Sequence, residues 1–267
     1  MTSRPDPDDG GLDRSRFELE FQDDFAAPEL DGAKWLPIYL PHWSGSEAAR
    51  ARYRLEGGRL VLTIEPDQPA WLPARTGEMR VSNLQTGAFS GPVGSGIGQH
   101  RFAPGLTVVE AVEERALYTP SRGLVEVRAA MALPPGTMAA LWLIGFERRP
   151  EESAELTVFE IFGDEVGDGR ALVGMGVHPF GDPRLTDTFR KVPVEVDVRE
   201  AHTYAAAWDG SGARFFVDDR AVATVDAAPA YPLQLMLDVF EFRVPARPAP
   251  RLVVERVAGH RWADAGR

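Results

Sequence analysis

Short apolar stretches punctuated by Gly and Pro recur along almost the whole chain. The first, Phe17–Phe25, alternates at Phe17, Leu19 and Phe21. Others fall at Tyr53–Leu55, Arg59–Ile64, Leu106–Glu110, Leu124–Leu133, Ala140–Phe146, Glu155–Phe162, Ala171–Val177, His202–Trp208, Ala213–Val217, Ala221–Val225, Leu233–Phe242 and Arg251–Val257. Runs of this length, bounded by turn formers, predict strands. The 26 Gly and 22 Pro interrupt any long helix, and the spacing suits a sandwich or barrel rather than βαβ units. Tyr204–Trp208, a turn at Asp209-Gly210-Ser211-Gly212, Ala213–Val217, a second turn at Asp218-Asp219 and Ala221–Val225 read as a three-stranded antiparallel meander. Pro66–Gly105, polar and Gly-rich, reads as loop and short strand at the rim of a site. Val244–Pro250 reads as a connecting loop. Residues 1–16, rich in Asp, Pro, Gly and Arg, read as a disordered leader, and 17–267 as a single β-sandwich domain.

One predicted strand carries chemistry. Glu155-Leu156-Thr157-Val158-Phe159-Glu160-Ile161-Phe162 is too apolar for a surface loop, yet it holds two carboxylates. Residues an even number apart share a face of a strand. Glu155 and Glu160 are an odd number apart, so regular pairing would send one of them into the core. An inserted residue at Val158 or Phe159 repairs the pattern. Glu155, Thr157 and Glu160 then face one way, and Leu156, Val158 and Ile161 the other. Two carboxyls on one face of a cleft can divide acid–base work, because burial and repulsion push their pKa values apart. A retaining glycosidase needs such a pair about 5–5.5 Å apart. The plainer alternative is two ordinary glutamates on the wet face of a half-exposed strand.

Glu155-Leu-Thr-Val-Phe-Glu160 resembles the bulged Glu-Ile-Asp-Ile-Met-Glu signature of family 16 glycoside hydrolases. Further stretches resemble that family in the expected order: Gly123-Leu-Val-Glu126-Val-Arg128, Pro135-Gly136-Thr-Met138-Ala-Ala-Leu-Trp142-Leu-Ile, His202-Thr-Tyr204-Ala-Ala-Ala-Trp208, Phe215-Phe-Val-Asp218 and Leu252-Val-Val-Glu255-Arg-Val. The resemblance runs from about Phe17 to Val257. It implies a concanavalin A-like jelly roll of two antiparallel sheets with a concave cleft. It also implies a retaining endo-type hydrolase or transglycosylase acting on a β-linked polysaccharide such as β-1,3-glucan, with Glu155 as nucleophile, Glu160 as acid/base and Thr157 orienting Glu155. Two positions depart from the family pattern: its central Asp is Thr157, and the first Trp of its cleft segment is Met138. Both departures keep open a second reading, a carbohydrate-binding, lectin-like sandwich that has lost efficient chemistry.

The substrate-binding candidates are Trp142, Asp238, His178, Met138, His100 and Asn83. Trp142 stands where the family has a Trp under the sugar, although a core Trp is the alternative. In Leu233–Phe242, Gln234, Met236, Asp238 and Phe240 share the face opposite Leu233, Leu235, Leu237 and Val239. His178 stands at a strand end, and Asn83 and His100 lie in the polar Pro66–Gly105 segment. The five His show no metal-ligand spacing, so no catalytic metal and no cofactor are expected. A structural calcium is implied only by the resemblance, through Glu255. A net charge of −11 disfavours nucleic acid, and no apolar run reaches the ~20 residues of a membrane span. The expected partner is a polysaccharide or oligosaccharide, and the expected state a monomer. With no visible signal peptide, the chain reads as cytoplasmic as the sequence stands, and as secreted if the start is truncated or export is non-classical.

Overall fold

The computed structural model describes residues 10–243 and 248–263. Along the chain run β1 (Phe17–Asp23), β2 (Arg52–Leu55), β3 (Leu60–Thr63), β4 (Arg80–Gln85), β5 (Gly87–Ala88), β6 (Arg115–Ala116), β7 (Gly123–Ala132), β8 (Thr137–Gly145) and β9 (Glu155–Phe162). They continue with β10 (Val166–Gly167), β11 (Arg170–His178), β12 (Arg190–Val194), β13 (His202–Asp209), β14 (Gly212–Val217), β15 (Arg220–Val225), β16 (Leu233–Glu241) and β17 (Arg251–Trp262).

Two antiparallel sheets form a sandwich. One has the order β15-β14-β13-β7-β17-β3-β2, with β1 also on β17; the other has β10-β11-β9-β8-β16-β4, with β12 also on β11. The core between them follows from strand alternation. Leu141 and Leu143 of β8, Leu156, Val158 and Ile161 of β9, and Leu235, Leu237 and Val239 of β16 meet Leu60, Val125, Val127, Tyr204, Trp208 and Val257 of the facing sheet. The second sheet is covered on its other face as well. Loop residues Tyr39, Leu40, Trp43, Trp71, Leu106 and Val108 pack there against Val81, Met138, Trp142, Met236 and Phe240. This second layer roofs part of the concave face and leaves the middle open as a cleft.

The structure corrects several local expectations. Arg80–Gln85, assigned above to the polar rim, is the fully buried strand β4 paired with β16. Its cleft-side polar groups bond one another instead of water, so the polar pattern marks a network and not exposure. The segment expected as a strand at Leu106–Glu110 is loop in which Leu106 and Val108 are buried, and β12 appears where none was expected. Residues 1–9 of the expected leader, and 244–247 of the Val244–Pro250 loop, lie outside the described residues. The rest of the leader is tied down: Leu12 N donates to Asp219 O at 2.8 Å, and Arg14 pairs with Glu126 at 2.7 Å and Asp219 at 2.6 Å. Composition could not reveal these distant acidic partners. The Asp218-Asp219 turn has φ of 47° and 66°, the two left-handed residues that a tight hairpin requires.

Candidate active site

The register of β9 decides which way its carboxylates point. Against β8, Leu141 pairs with Phe159 and Trp142 with Thr157, so Val158 is the extra residue. Against β11, Gly174 pairs with Glu160 and Gly176 with Thr157, so Val158 and Phe159 together oppose one residue. This bulge keeps Leu156, Val158, Phe159 and Ile161 in the core and turns Glu155 and Glu160 into the cleft. Both line a cavity of about 340 Å³ together with Tyr39, His100, Met138, Ala140, Trp142, His178, Phe180 and Phe240.

The two glutamates differ in environment. Glu155 is 8% exposed, and burial pushes its carboxyl up to about 7. A hydrogen bond from Thr157 Oγ1 to Glu155 Oε1 at 2.6 Å and the nearby His178 imidazole oppose that rise, while Glu160 and Asp187 add to it. Glu160 is also raised by burial, against the pull of His178 and Lys191. The Thr157 bond favours the anion at Glu155 and so opposes part of the rise that burial imposes there. Thr157 donates this hydrogen bond without carrying a charge of its own.

Beneath the cavity lies a third carboxyl. Trp142 Nε1 donates to Asp238 Oδ2 at 2.8 Å, which fixes the indole that floors the cleft. Asp238 is fully buried, and burial raises its carboxyl well above the ordinary range, helped by the charges of Glu155 and Glu160. Directly opposite on β4 is Asn83. Its amide is oriented by donation from Nδ2 to Ile38 O at 2.6 Å and Gln85 Oε1 at 3.2 Å. Among the described residues, Asn83 Oδ1 and Asp238 Oδ1 are both buried without a hydrogen-bond partner.

Of the six expected substrate-binding residues, Trp142, Met138, His178 and His100 line the cavity. Asp238 and Asn83 do not; they lie fully buried behind Trp142, and their part is in holding the floor. His178 pairs with Glu155 across β11 and β9, and its Nδ1 lies 3.0 Å from Asp187 Oδ2. His100 packs edge-on against Trp142 and Phe180, and burial pushes its imidazole down to about 4, so it stays neutral. Sequence reasoning missed Tyr39 and Phe180, which reach the cavity from loops, and Phe240, whose position on the Asp238 face was the available signal. It also left Gly174 and Gly176 unexplained. A Cβ on Gly174 would lie 2.5 Å from Phe189 Cζ, and one on Gly176 2.7 Å from Phe189 Cα, so both glycines admit the close approach of Phe189, which stacks on the cavity residue His178.

The residue offered for calcium, Glu255, is bound by Arg128 Nε at 2.9 Å. Among the described residues no three His, Cys, Asp or Glu side chains cluster in a way that could hold a metal.

Residues 117–266, more than half of the chain and including both glutamates, match the family described as "Glycosyl hydrolases family 16". The chain belongs to glycosyl hydrolase family 16. No curated protein matches it. The family 16 fold is similar to that of a GlcNAcα1-4Gal-releasing endo-β-galactosidase from Clostridium perfringens, at 23% identity and TM-score 0.83, over 96% of this chain and 64% of that one. It thus spans just under two thirds of that protein. It is also similar to SCLam, a non-specific endo-β-1,3(4)-glucanase (19% identity, TM-score 0.67, 96% of this chain and 95% of that one). A third likeness is to the laminarinase from Rhodothermus marinus (21% identity, TM-score 0.64, 93% and 98%). At these identities the likeness is one of fold.

Proposed function

We propose that this family 16 protein cleaves a β-linked glycan internally by a retaining double displacement. The observation that carries the reading is the bulge at Val158, which sets Glu155, Thr157 and Glu160 on one face and places both glutamates in one cavity. In the first step a Glu155 carboxylate oxygen attacks the anomeric carbon. The bond to the glycosidic oxygen breaks as Glu160 gives that oxygen its proton, and a glycosyl ester remains on Glu155. In the second step Glu160, now a base, takes a proton from water. The oxygen attacks the anomeric carbon, and the ester bond returns its electrons to Glu155. A sugar hydroxyl in place of water gives transglycosylation.

Burial of Glu160 suits the acid, which must arrive protonated, while at Glu155 the Thr157 hydrogen bond and the nearby His178 oppose the burial that disfavours the attacking anion. Trp142, Tyr39 and Phe240 offer aromatic faces for sugar rings. The names of the similar structures point to β-1,3-glucan, mixed-linkage β-1,3(4)-glucan and β-galactosidic chains as the substrates to screen.

The test is release of reducing ends from these three glycans, with Glu155→Gln and Glu160→Gln beside the wild type. The reading expects endo-type products from at least one glycan and a loss of about 10³-fold or more in each variant. The second reading, a lectin, expects no release from any glycan by the wild type and unchanged binding in Glu155→Gln.

A further inference from the structure

Beside the catalytic cavity, and sharing His100 and Phe180 with it, lies a second cavity of about 250 Å³. Three independent features distinguish it from an ordinary surface hollow. The first is its backbone. His100, Glu147 and Phe180 have φ of 51°, 57° and 43°, a left-handed conformation that non-glycine residues hold only where the surroundings impose it. Only seven non-glycine residues among those described have positive φ, and three of them line this one cavity.

The second feature is uncommitted polar chemistry. Among the described residues the Arg101 side chain, which lines the cavity, donates no hydrogen bond and closes no ion pair, while its charge acts on Glu147. Glu147 Oε1 accepts from His100 N, which leaves Oε2 available. Burial pushes the Glu147 carboxyl up to about 7, so near neutral pH it can either donate or accept. The third feature is apolar surface at the mouth: Phe180 is 49% exposed and Ile97 53% exposed. The loop that carries Ile97 and His100 is anchored at Gln99. Gln99 is fully buried, its Oε1 accepts from Phe89 N at 2.9 Å, and its backbone oxygen accepts from Trp43 Nε1 at 2.9 Å.

An aromatic face beside an uncommitted guanidinium and a carboxyl with one oxygen to spare is the chemistry that recognises a sugar ring. The ring's apolar face lies on the aromatic, and its hydroxyls bond the charged groups. The volume suits one sugar unit and not an oligosaccharide. We propose that this side cavity binds a single hexose carried as a branch on the glycan whose backbone occupies the main cavity, with Arg101 and Glu147 as the residues that select it. This proposal rests on the glycosidase reading of Glu155 and Glu160.

The test measures binding to the Glu155→Gln protein by calorimetry and saturation-transfer NMR. The probes are a linear β-1,3-gluco-hexasaccharide and a linear β-1,4-galacto-hexasaccharide, each with and without one single-hexose side unit. The expected result is a branched probe that binds at least tenfold tighter than its linear parent and receives saturation on its side unit. Arg101→Ala, and separately Glu147→Gln, added to that protein should return the branched probe to the parent's affinity, with the parent itself changed less than twofold. Glu147→Gln keeps an acceptor for His100 N, and Arg101 is exposed, so both variants preserve the fold. Branched probes no tighter than linear ones, or an Arg101→Ala loss shared equally by both, would overturn the proposal. Failure of the glycosidase reading has a different signature, since the wild type would then cut neither parent whatever the branch adds to binding.

Discussion

Replacing Glu155 by Gln should make the protein more stable at alkaline pH and leave it unchanged in acid. An ordinary glutamate ionises at 4.5, whereas burial makes Glu155 hold its proton to about 7. The folded state therefore favours the protonated form. Its contribution to stability is complete below pH 4.5, declines as pH rises from 4.5 to about 7, and is absent above that. Two and a half pH units at about 1.4 kcal/mol each come to about 3 kcal/mol. The amide introduced by Glu155→Gln resembles the protonated acid at every pH, can still accept the Thr157 hydrogen bond, and never ionises. Wild type and variant should unfold together near pH 4.5 and separate as pH rises. At pH 8–9 the variant should be more stable by about 3 kcal/mol, or roughly 2–4 °C in Tm per kcal/mol for a chain of about this size. Calorimetric unfolding from pH 4.5 to 9 needs no substrate and reads this directly. Parallel Tm curves for the two proteins would refute the claim that Glu155 is buried at an energetic cost.

Thr157→Val removes the Thr157 Oγ1 hydrogen bond that holds the Glu155 carboxylate. A bond to a charged group contributes about 1.5–3 kcal/mol, so the acid limb of the pH profile of kcat/KM should move up by about one unit or more, while Thr157→Ser should keep the wild-type profile. Asp238→Asn preserves an acceptor for Trp142 Nε1 and never ionises, so it should keep near-wild-type stability and activity. Asp238→Ala leaves the indole N–H buried and unpaired and should cost about 1–3 kcal/mol in chemical denaturation, with a shift in Trp fluorescence. Gly176→Ala would force a Cβ to within 2.7 Å of the Phe189 backbone at a φ of 137°, and should destabilise by about 2 kcal/mol or more and lower kcat through displacement of Phe189 from the cavity residue His178.

What could be read from the chain was whatever local alternation controls. The carboxylate strand is the clearest case, because only a bulge lets its glutamates and its apolar residues each keep one face, and the register places the bulge at Val158. Strands β7, β8, β13, β14 and β16 likewise announce themselves as short apolar runs between turn residues. The misreadings share one cause, which is that polarity was equated with exposure. In β4, Asn83 and Gln85 bond each other, the Leu36–Leu40 loop and Gly87, so a strand in the interior looks like a rim loop. Leu106 and Val108 do alternate into an apolar cluster, but as part of a loop that covers the cleft face. Contacts between distant segments left no local trace: Tyr39 beside Trp142, Asp238 under the indole, and Arg14 reaching Glu126 and Asp219.

The central claim, that Glu155 is the nucleophile and Glu160 the acid/base of one retaining site, is tested most directly by azide rescue of Glu155→Ala and Glu160→Ala. The substrate is an activated aryl β-glycoside of whichever glycan the wild type cuts, and the measurement is the anomeric configuration of the glycosyl azide by NMR. Azide entering the space left at residue 155 attacks the face opposite the leaving group, so Glu155→Ala should give the α-glycosyl azide. With Glu160→Ala the glycosyl ester still forms on Glu155, and azide displaces it to give the β-glycosyl azide. The same anomer from both variants, or the two products exchanged, would contradict the assignment.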